Sequence, residues 1–423
     1  MKRVVILCVW LFSVVAGHAQ LSLDECRRLA RENYPEIRQY DLVHQTEQYN
    51  LSNAARAWIP QLAFSAQATW QTDAPNFPKE LTGMLAQQGL EIPGLRKDQY
   101  KVALELNQTI WDGGKSVADK RIARAEATEQ KTMTDVDLYE LEGRVDDLYF
   151  GILLLDERIA QTNLTLNLLR SNLEKVRALQ RNGVAMQSDA DVLEAELLSV
   201  GQQLIQFESS CDSYRRMLGI FIGQKVGDRK LQRPSAVQPL SGESARPELA
   251  MFAAKIDRLT AQEKMVKSSS MPRLGFFAQG YYGYPGLDYM QGMMNSDWSW
   301  NAMLGVKLSW NFGAYYTQKN NLDKLRTSRQ QVEVQRDVFL FNMNLQAAQE
   351  NGDIARLRKA IADDDRIVAL RRSVREAAES KLRNGIIDTH DLLSKITDES
   401  TASMARSMRE IELLKAIYEY KHT

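Results

Sequence analysis

Arg181-Asn182-Gly183, with Asp189 six residues beyond the glycine, returns later in the chain as Arg383-Asn384-Gly385 with Asp391 at the same distance. A second stretch is duplicated as well: residues 58–62 (WIPQL) reappear as residues 270–274 (SMPRL), each leading into alternating apolar and polar residues. Duplication of helix and strand signals in the same order predicts an internal structural repeat. We expect a first repeat at residues 20–230, a connector at 231–245 and a second repeat at 246–423.

Heptad patterns flank the first Arg-Asn-Gly segment. Apolar residues recur at alternating steps of four and three over residues 141–176, and the pattern resumes over residues 193–218. This spacing is typical of helices packed along a seam. Asn-Gly suits the left-handed end of a helix, and Ser188 or Thr389 can cap the helix that follows. Each segment is therefore predicted to form a helical hairpin tip, at about 181–189 and 383–391.

The pattern of the second copy is less regular. It holds from Val334 to Ala355 and is then interrupted at Asp364 and Arg371. We interpret the acidic run at residues 363–365 and the Arg371-Arg372 pair as water-facing helix surface. Cys211 falls on the seam of the first copy and is expected to pack there, which disfavours a disulfide with Cys26.

Four segments carry the alternation of β-strands, at about residues 61–72, 99–111, 273–283 and 302–312. Each is about ten residues long, apolar on one face and polar on the other, with aromatic residues near its ends, as in strands of transmembrane barrels. Strands of a soluble sandwich alternate similarly. Four strands cannot close a barrel, and lipid does not tolerate the open edges of a sheet. A membrane barrel would therefore have to be shared among copies of the chain.

Bulk composition narrows the class of protein. A charged fraction of 26% and a mean hydropathy of -0.39 exclude a helical membrane protein. Lys2 and Arg3 precede an apolar run at residues 4–15 and Gly17-His18-Ala19, which predicts an export signal at residues 1–19. The formal net charge is zero, so nothing favours binding to nucleic acid.

Several short segments connect these elements. They are Leu21-Ser22-Leu23-Asp24-Glu25, Ile59-Pro60-Gln61-Leu62, Ile110-Trp111-Asp112-Gly113-Gly114-Lys115 and the two glycine tips. In this order, and with their duplication, they resemble the TolC family of outer-membrane efflux channels. The resemblance implies a mixed fold: a long α-helical coiled-coil barrel in the periplasm continues into a transmembrane β-barrel. Each chain would contribute four strands, and a homotrimer would close the barrel.

The resemblance also implies roles for particular residues. In the family the tips dock onto a periplasmic adaptor protein, itself joined to an inner-membrane transporter. That role would fall here to the six residues Gly183, Val184, Ala185, Gly385, Ile386 and Ile387. Asp391 would line a closed periplasmic aperture, where three carboxylates repel one another and attract cations. Many family members carry a second acidic residue one turn later, where this chain has Ser394, so we expect a weaker or differently built constriction.

Other functions find less support. A soluble periplasmic coiled-coil adaptor or scaffold would share the helical hairpins but would lack four apolar-faced strands arranged two per repeat. Residues 112–116 (DGGKS) resemble a phosphate-binding loop, but Thr109 stands where that loop needs glycine. The glycines are expected to turn a strand into a helix, with Asp112 as its cap. No enzymatic constellation, cofactor or metal site is predicted, because Asp388, His390 and Asp391 are helix neighbours that do not face one another.

Overall fold

The computed structural model of the protein describes residues 20–183, 185–235 and 246–422. The predicted signal, Val184 and residues 236–245 of the predicted connector lie outside these residues. The helices are α1 (Leu23–Asn33), α2 (Gln39–Arg56), α3 (Lys79–Gln87), α4 (Lys115–Arg181), α5 (Gln187–Ile222), α6 (Pro247–Ser269), α7 (Tyr289–Met294), α8 (Ala314–Arg383) and α9 (Thr389–His422). The strands are β1 (Gln61–Trp70), β2 (Asp98–Trp111), β3 (Arg273–Tyr284) and β4 (Ser299–Ser309). Among the helices of the described ranges, none is both long and apolar enough to cross a membrane.

The chain divides into two compact units. The first comprises the described residues within Met1–Gln39, Met133–Ala250 and Arg336–Thr423, and the second comprises Tyr40–Thr132 and Met251–Gln335. The first unit is helical and contains both hairpin tips. The second unit contains the sheet, together with α2, α3, α6, α7 and parts of α4 and α8.

The first unit has an apolar core between its hairpins, built along the seam that the heptads predict. It includes four residues of α4, three of α5, one of α8 and two of α9: Leu166, Leu169, Leu173, Val176, Ala190, Leu193, Val200, Ala378, Leu392 and Ile396. The earlier seam residues of α4, such as Leu141, Val145 and Ile152, are buried as well. Cys211 is buried on α5, at the seam position that the heptads predict, and both it and Cys26 are free thiols.

The charged residues that interrupt the second heptad pattern were expected to face water, but they contact the neighbouring helix. Asp364 is buried rather than water-facing, with 5% of its surface exposed, and its carboxylate binds the Arg409 side chain of α9. Arg371 likewise binds Asp398 of α9, at 2.6 Å. The charges that break the heptad pattern therefore join α8 to α9, because each has an opposite charge on the facing helix.

The segment that opens the described chain is tied into the first unit. The amide of Leu21 donates to the carbonyl of Lys230 at 3.2 Å, and that of Gln232 donates to the carbonyl of Leu21 at 3.0 Å. The hydroxyl of the fully buried Tyr149 lies 2.8 Å from the Leu21 carbonyl oxygen. The guanidinium of Arg27 on α1 binds the nearly buried Asp146 carboxylate of α4. The apolar periodicities used above do not detect these polar contacts.

The second unit is organised around a four-stranded antiparallel sheet in the order β1-β2-β3-β4, which confirms the four predicted strands. The last strand lies three residues earlier than expected and ends at Ser309. Beyond it, the indole of Trp310 donates to the Ser270 carbonyl at 3.0 Å, and the Asn311 side chain accepts from the Gly313 amide at 3.0 Å. These bonds turn the chain toward α8. The loops that join paired strands each contain a short helix, α3 or α7, and pack together around Ala74, Leu95 and Tyr284.

We expect both cysteines to be inert in the folded protein. Cys26 has no exposed surface and Cys211 only 5%, and burial, with help from nearby Glu25 and Asp146, raises the pKa of Cys26 to about 12. Thiols of this kind react only when the structure opens. Native protein should react with a maleimide at least about a hundredfold more slowly than denatured protein. A Ser213→Cys variant, with a thiol on the exposed face of α5, is the positive control, and rapid native labelling of Cys26 would contradict the packing of α1.

Candidate functional site

Each Arg-Asn-Gly segment forms a tight helical hairpin tip, as predicted. α4 ends at Arg181 and Gly183 has φ of 79°; α8 ends at Arg383 and Gly385 has φ of 70°. The second tip closes with the amide of Gly385 bonded to the Leu382 carbonyl and that of Ile386 bonded to the Lys381 carbonyl, at 2.9 and 3.0 Å. This pair of bonds is the Schellman motif. Glycine is required by the left-handed φ and not by crowding, since a Cβ on either glycine would meet nothing within 4 Å.

The residues that cap the next helices differ from those expected. Ser188 does not cap α5: that helix begins one residue earlier, after Met186, and the Asp189 carboxylate accepts from the Met186 amide at 2.8 Å. Thr389 is the first residue of α9 and is buried, while the Asp388 carboxylate accepts from the Asp391 amide at 2.8 Å. At the first tip, Ser188 lies within the first turn because α5 begins at Gln187. At the second tip, the ionised Asp388 carboxylate makes the strong bond that a positive helix end favours.

This difference in capping sets the two tips apart. Asp189 uses its carboxylate to close the start of α5, whereas the cap at the second tip comes from Asp388. The Asp391 side chain is exposed, and no described residue binds it. Ser394 is exposed on the same side of α9, while Leu392 and Ile396 are buried in the hairpin core. One turn of α9 thus presents Asp391 and Ser394 to water.

The predicted docking residues do not all lie at the surface. Gly183, Gly385 and Ile386 are exposed, with 68% of the Ile386 side chain open to water. Ala185 and Ile387 instead pack against the apolar core of the hairpins, and Val184 lies outside the described residues. Met186, 75% exposed, was not predicted, although an apolar residue between a tip glycine and a helix start could have indicated it. Among the described residues, each tip therefore presents one exposed large apolar side chain.

The sheet of the second unit has two chemically different faces. Partners across an antiparallel pair share a face, so the register assigns each residue to one side. One face carries large apolar side chains that are exposed, including Leu62, Phe64, Leu104, Leu304, Val306, Leu308 and Trp300. The other carries polar residues, among them Gln61, Ser65, Gln67, Lys101, Glu105, Asn107, Gln279 and Lys307. A soluble sandwich would cover the apolar face, and no described residue does so here.

Aromatic side chains gather at the two ends of this apolar face. At one end, Trp298 stacks on Tyr100 with ring centroids 5.7 Å apart, and Trp300 lies 5.0 Å from Tyr282. At the other, Trp310 and Phe312 are 4.7 Å apart, and the Trp58 indole donates to Ser116 at 3.1 Å. An apolar band between two aromatic girdles is the pattern of outer-membrane barrels.

The strand-to-helix turn after β2 is structural, as predicted. The Asp112 carboxylate accepts from the amides of Gly114 and Ser116 at 2.9 and 2.7 Å, which caps α4 and holds the pKa of this carboxyl below its usual range despite partial burial. Gly113 and Gly114 have φ of 71° and 85°. The amides that a phosphate loop would turn toward a nucleotide are thus bound to Asp112.

Comparison with known proteins agrees with this geometry. Residues 27–223 match the model of the family described as outer membrane efflux protein. The resemblance to the TolC family is thereby confirmed. No curated protein matches the chain at a significant level.

Solved structures show that the outer membrane efflux fold extends over nearly the whole chain. VceC, an outer membrane protein of Vibrio cholerae, aligns with a TM-score of 0.70 at 14% identity, covering 95% of this chain and 96% of its own. The outer-membrane channel OprN gives 0.70 at 15%, with 95% and 89% covered. The open state of the MtrE outer membrane channel of Neisseria gonorrhoeae gives 0.64 at 15%, with 95% and 88% covered.

The efflux-family match ends at Gly223, the left-handed residue that terminates α5 with φ of 70°. It includes β1, β2 and the first tip. The strands β3 and β4 and the second tip lie beyond the match, and it is the structural similarity to outer-membrane channels that covers them.

Proposed function

We propose that this chain is one subunit of a passive outer-membrane channel in a tripartite efflux or type I secretion system. The observation that carries the proposal is the sheet, which presents an apolar face bounded by aromatic girdles on one side and a polar face on the other. Such a sheet separates lipid from water. In this arrangement the long helices extend through the periplasm toward an adaptor and an inner-membrane transporter, and the channel itself performs no chemistry.

A homotrimer closes the barrel in this proposal. The sheet has two outer strands, β1 and β4, and their outward peptide groups need partners in lipid. Three copies of the four-stranded sheet supply twelve strands, an even number within the usual range of outer-membrane barrels. The two repeats inferred from the sequence would then make each subunit contribute two similar strand pairs and two similar hairpins.

The helices offer a second surface for assembly. Val334, Val338, Phe341 and Leu345 keep a heptad register on α8, and each has more than half of its side chain exposed. An apolar stripe of this length is costly in water and is typical of a seam that awaits another helix. We propose that a neighbouring subunit covers it. A soluble adaptor is disfavoured because the exposed apolar face of the sheet would be in contact with water.

The first prediction about the proposed channel concerns assembly and conduction. Protein extracted from outer membranes in detergent should be trimeric and should conduct ions in planar bilayers. Phe341→Glu should reduce the recovered trimer by about tenfold or more, because an unpaired carboxylate would enter the seam at a cost of several kcal/mol. Gln346→Glu adds the same charge at an exposed position with no stripe residue three or four positions away, and should leave trimers intact. A monomer confined to the soluble periplasm would refute the proposal.

The tips are proposed to dock onto the adaptor through Gly183, Gly385 and the exposed Ile386 and Met186. Ala185 and Ile387 support these residues from the core, and Val184 remains a docking candidate from the sequence. Small residues at an exposed turn allow close approach of another protein surface.

The second prediction tests docking at Gly385. Gly385→Arg should lower transport by about tenfold or more while leaving trimers and conductance intact, because its bulk would stand at the proposed contact. Gly385→Ala is the matched control: it carries the same left-handed backbone strain of about 1–2 kcal/mol without the bulk. Transport in the arginine variant that equals transport in the alanine variant would exclude docking at this tip.

The gate is proposed to lie in the second hairpin, at Asp391. Its carboxylate is exposed and does not serve as a cap, so three copies around an axis could concentrate negative charge in a narrow lumen. Ser394 lies one turn further along the exposed side of α9 and contributes no charge.

The third prediction measures this charge. Asp391→Asn should raise single-channel conductance and weaken block by divalent cations, and Ser394→Asp should do the reverse by adding a second carboxylate ring. Asp191→Asn, which removes an exposed carboxylate from the start of α5, is the control and should change neither property. Normal block in Asp391→Asn would remove this residue from the constriction.

A further inference from the structure

The charged residues of the sheet's polar face are few and unequal in sign. By register, the strand residues of this face include four that are charged at neutral pH, Lys101, Glu105, Arg273 and Lys307. The apolar face carries only Asp98, at the end of β2, where it is bound by Arg96. Three cations against one anion leave each polar face with a net charge of two positive.

Lys101 and Glu105 are joined through a shared partner. The Lys101 ammonium donates to the Gln279 side-chain oxygen at 3.0 Å, and the Gln279 amide donates to the Glu105 carboxylate. The ammonium also lies 4.5 Å from the ring centroid of Tyr281. The one anion of this face is therefore held near one of its cations, and the two charges largely offset each other at a distance.

Arg273 and Lys307 lie together at the other end of the face. Lys307 is opposite Gly275 and Arg273 is opposite Ser309, so the two cations are diagonal neighbours on β3 and β4. Both are exposed, and within the described ranges neither has an ion-pair partner. Like charges placed side by side repel unless an anion or water lies between them.

A depression of about 470 Å³ adjoins these two cations, lined also by Asn107, Thr109 and the first turn of α4. Its two acids are already engaged: Asp112 accepts two backbone amides, and Asp119 binds Lys115 at 2.7 Å. The unsatisfied charge at this end of the face is therefore positive.

We infer that Arg273 and Lys307 form an anion-selecting cluster on the water-facing wall of the barrel. This inference rests on the proposed trimeric channel, in which three such clusters surround one lumen and the three polar faces together have a net charge of six positive. Fixed charges within about a Debye length of the permeating ion, roughly 10 Å at 0.1 M salt, enrich counterions and set selectivity. The barrel end favours anions, whereas the proposed Asp391 aperture favours cations.

The fourth prediction is measured as a permeability ratio. In planar bilayers under a tenfold KCl gradient, the double variant Arg273→Gln, Lys307→Gln should raise the ratio of potassium to chloride permeability by about threefold or more relative to the unmodified channel. The charge-conserving double variant Arg273→Lys, Lys307→Arg should leave the ratio unchanged. Each single glutamine variant should give an intermediate ratio, which keeps the test available if the double variant assembles poorly.

Block by a polyvalent anion gives a second, independent readout. Citrate is added on the side of the bilayer opposite the long helices. It should reduce current through the unmodified channel and have a clearly smaller effect on the glutamine variants. Channels that conduct normally but show the same permeability ratio and citrate block in all variants would overturn the inference while leaving the proposed function in place. The absence of any conducting channel in the unmodified protein would instead count against the proposed function.

Discussion

The outward peptide groups of β1 and β4 impose the constraint on which the rest of the structure depends. Within the described sheet these strands pair on one side only. In water, unpaired strand edges promote aggregation. In hydrocarbon, each unsatisfied peptide group costs several kcal/mol. The apolar face of the same sheet suits lipid and not water. In the proposed trimer, further copies of the chain complete this surface, and the two repeats inferred from the sequence each supply one strand pair.

Apolar packing and ion pairs both hold the helical hairpins together, in different proportions along their length. The core around Leu169, Leu193 and Leu392 is apolar and buries the first hairpin firmly against α9. Further along, α8 meets α9 through ion pairs such as Asp364 with Arg409 and Glu399 with Arg375, and also through a small apolar cluster that includes Leu357 and Ile417. Apolar packing loses its free energy in proportion to the area that is exposed, whereas charged groups that separate into water regain hydration. A helix that has to move while the rest of the protein stays assembled is therefore better joined to its neighbour by ion pairs than by apolar packing.

Periodicity in the sequence predicted the helices, the seam and the four strands because each depends on a regular spacing of apolar residues. Several predictions that depended on single polar contacts were wrong. Ser188 and Thr389 had the right chemistry for caps, but each lies inside its helix, and Asp189 and Asp388 make the capping bonds instead. Asp364 looked water-facing because its partner, Arg409, lies far along the chain. The tie between Tyr149 and Leu21 was undetected for the same reason. The exposed side chains at the tips were only partly predicted, because Ala185 and Ile387 turn inward onto the core.

The unequal capping of the two tips separates two evolutionary pressures. Asp189 is bound to the start of α5, so a substitution there would be felt first by the folded state. Asp391 occupies the matching place in the second segment, but there the side chain that caps the helix is that of Asp388. Selection could therefore retune the charge at Asp391 for a different cargo or a different ionic environment, with little penalty in protein folding. In the proposed channel, two aligned aspartates that look interchangeable in the sequence are thus under different constraints, one set by the stability of the fold and the other by the passage of ions.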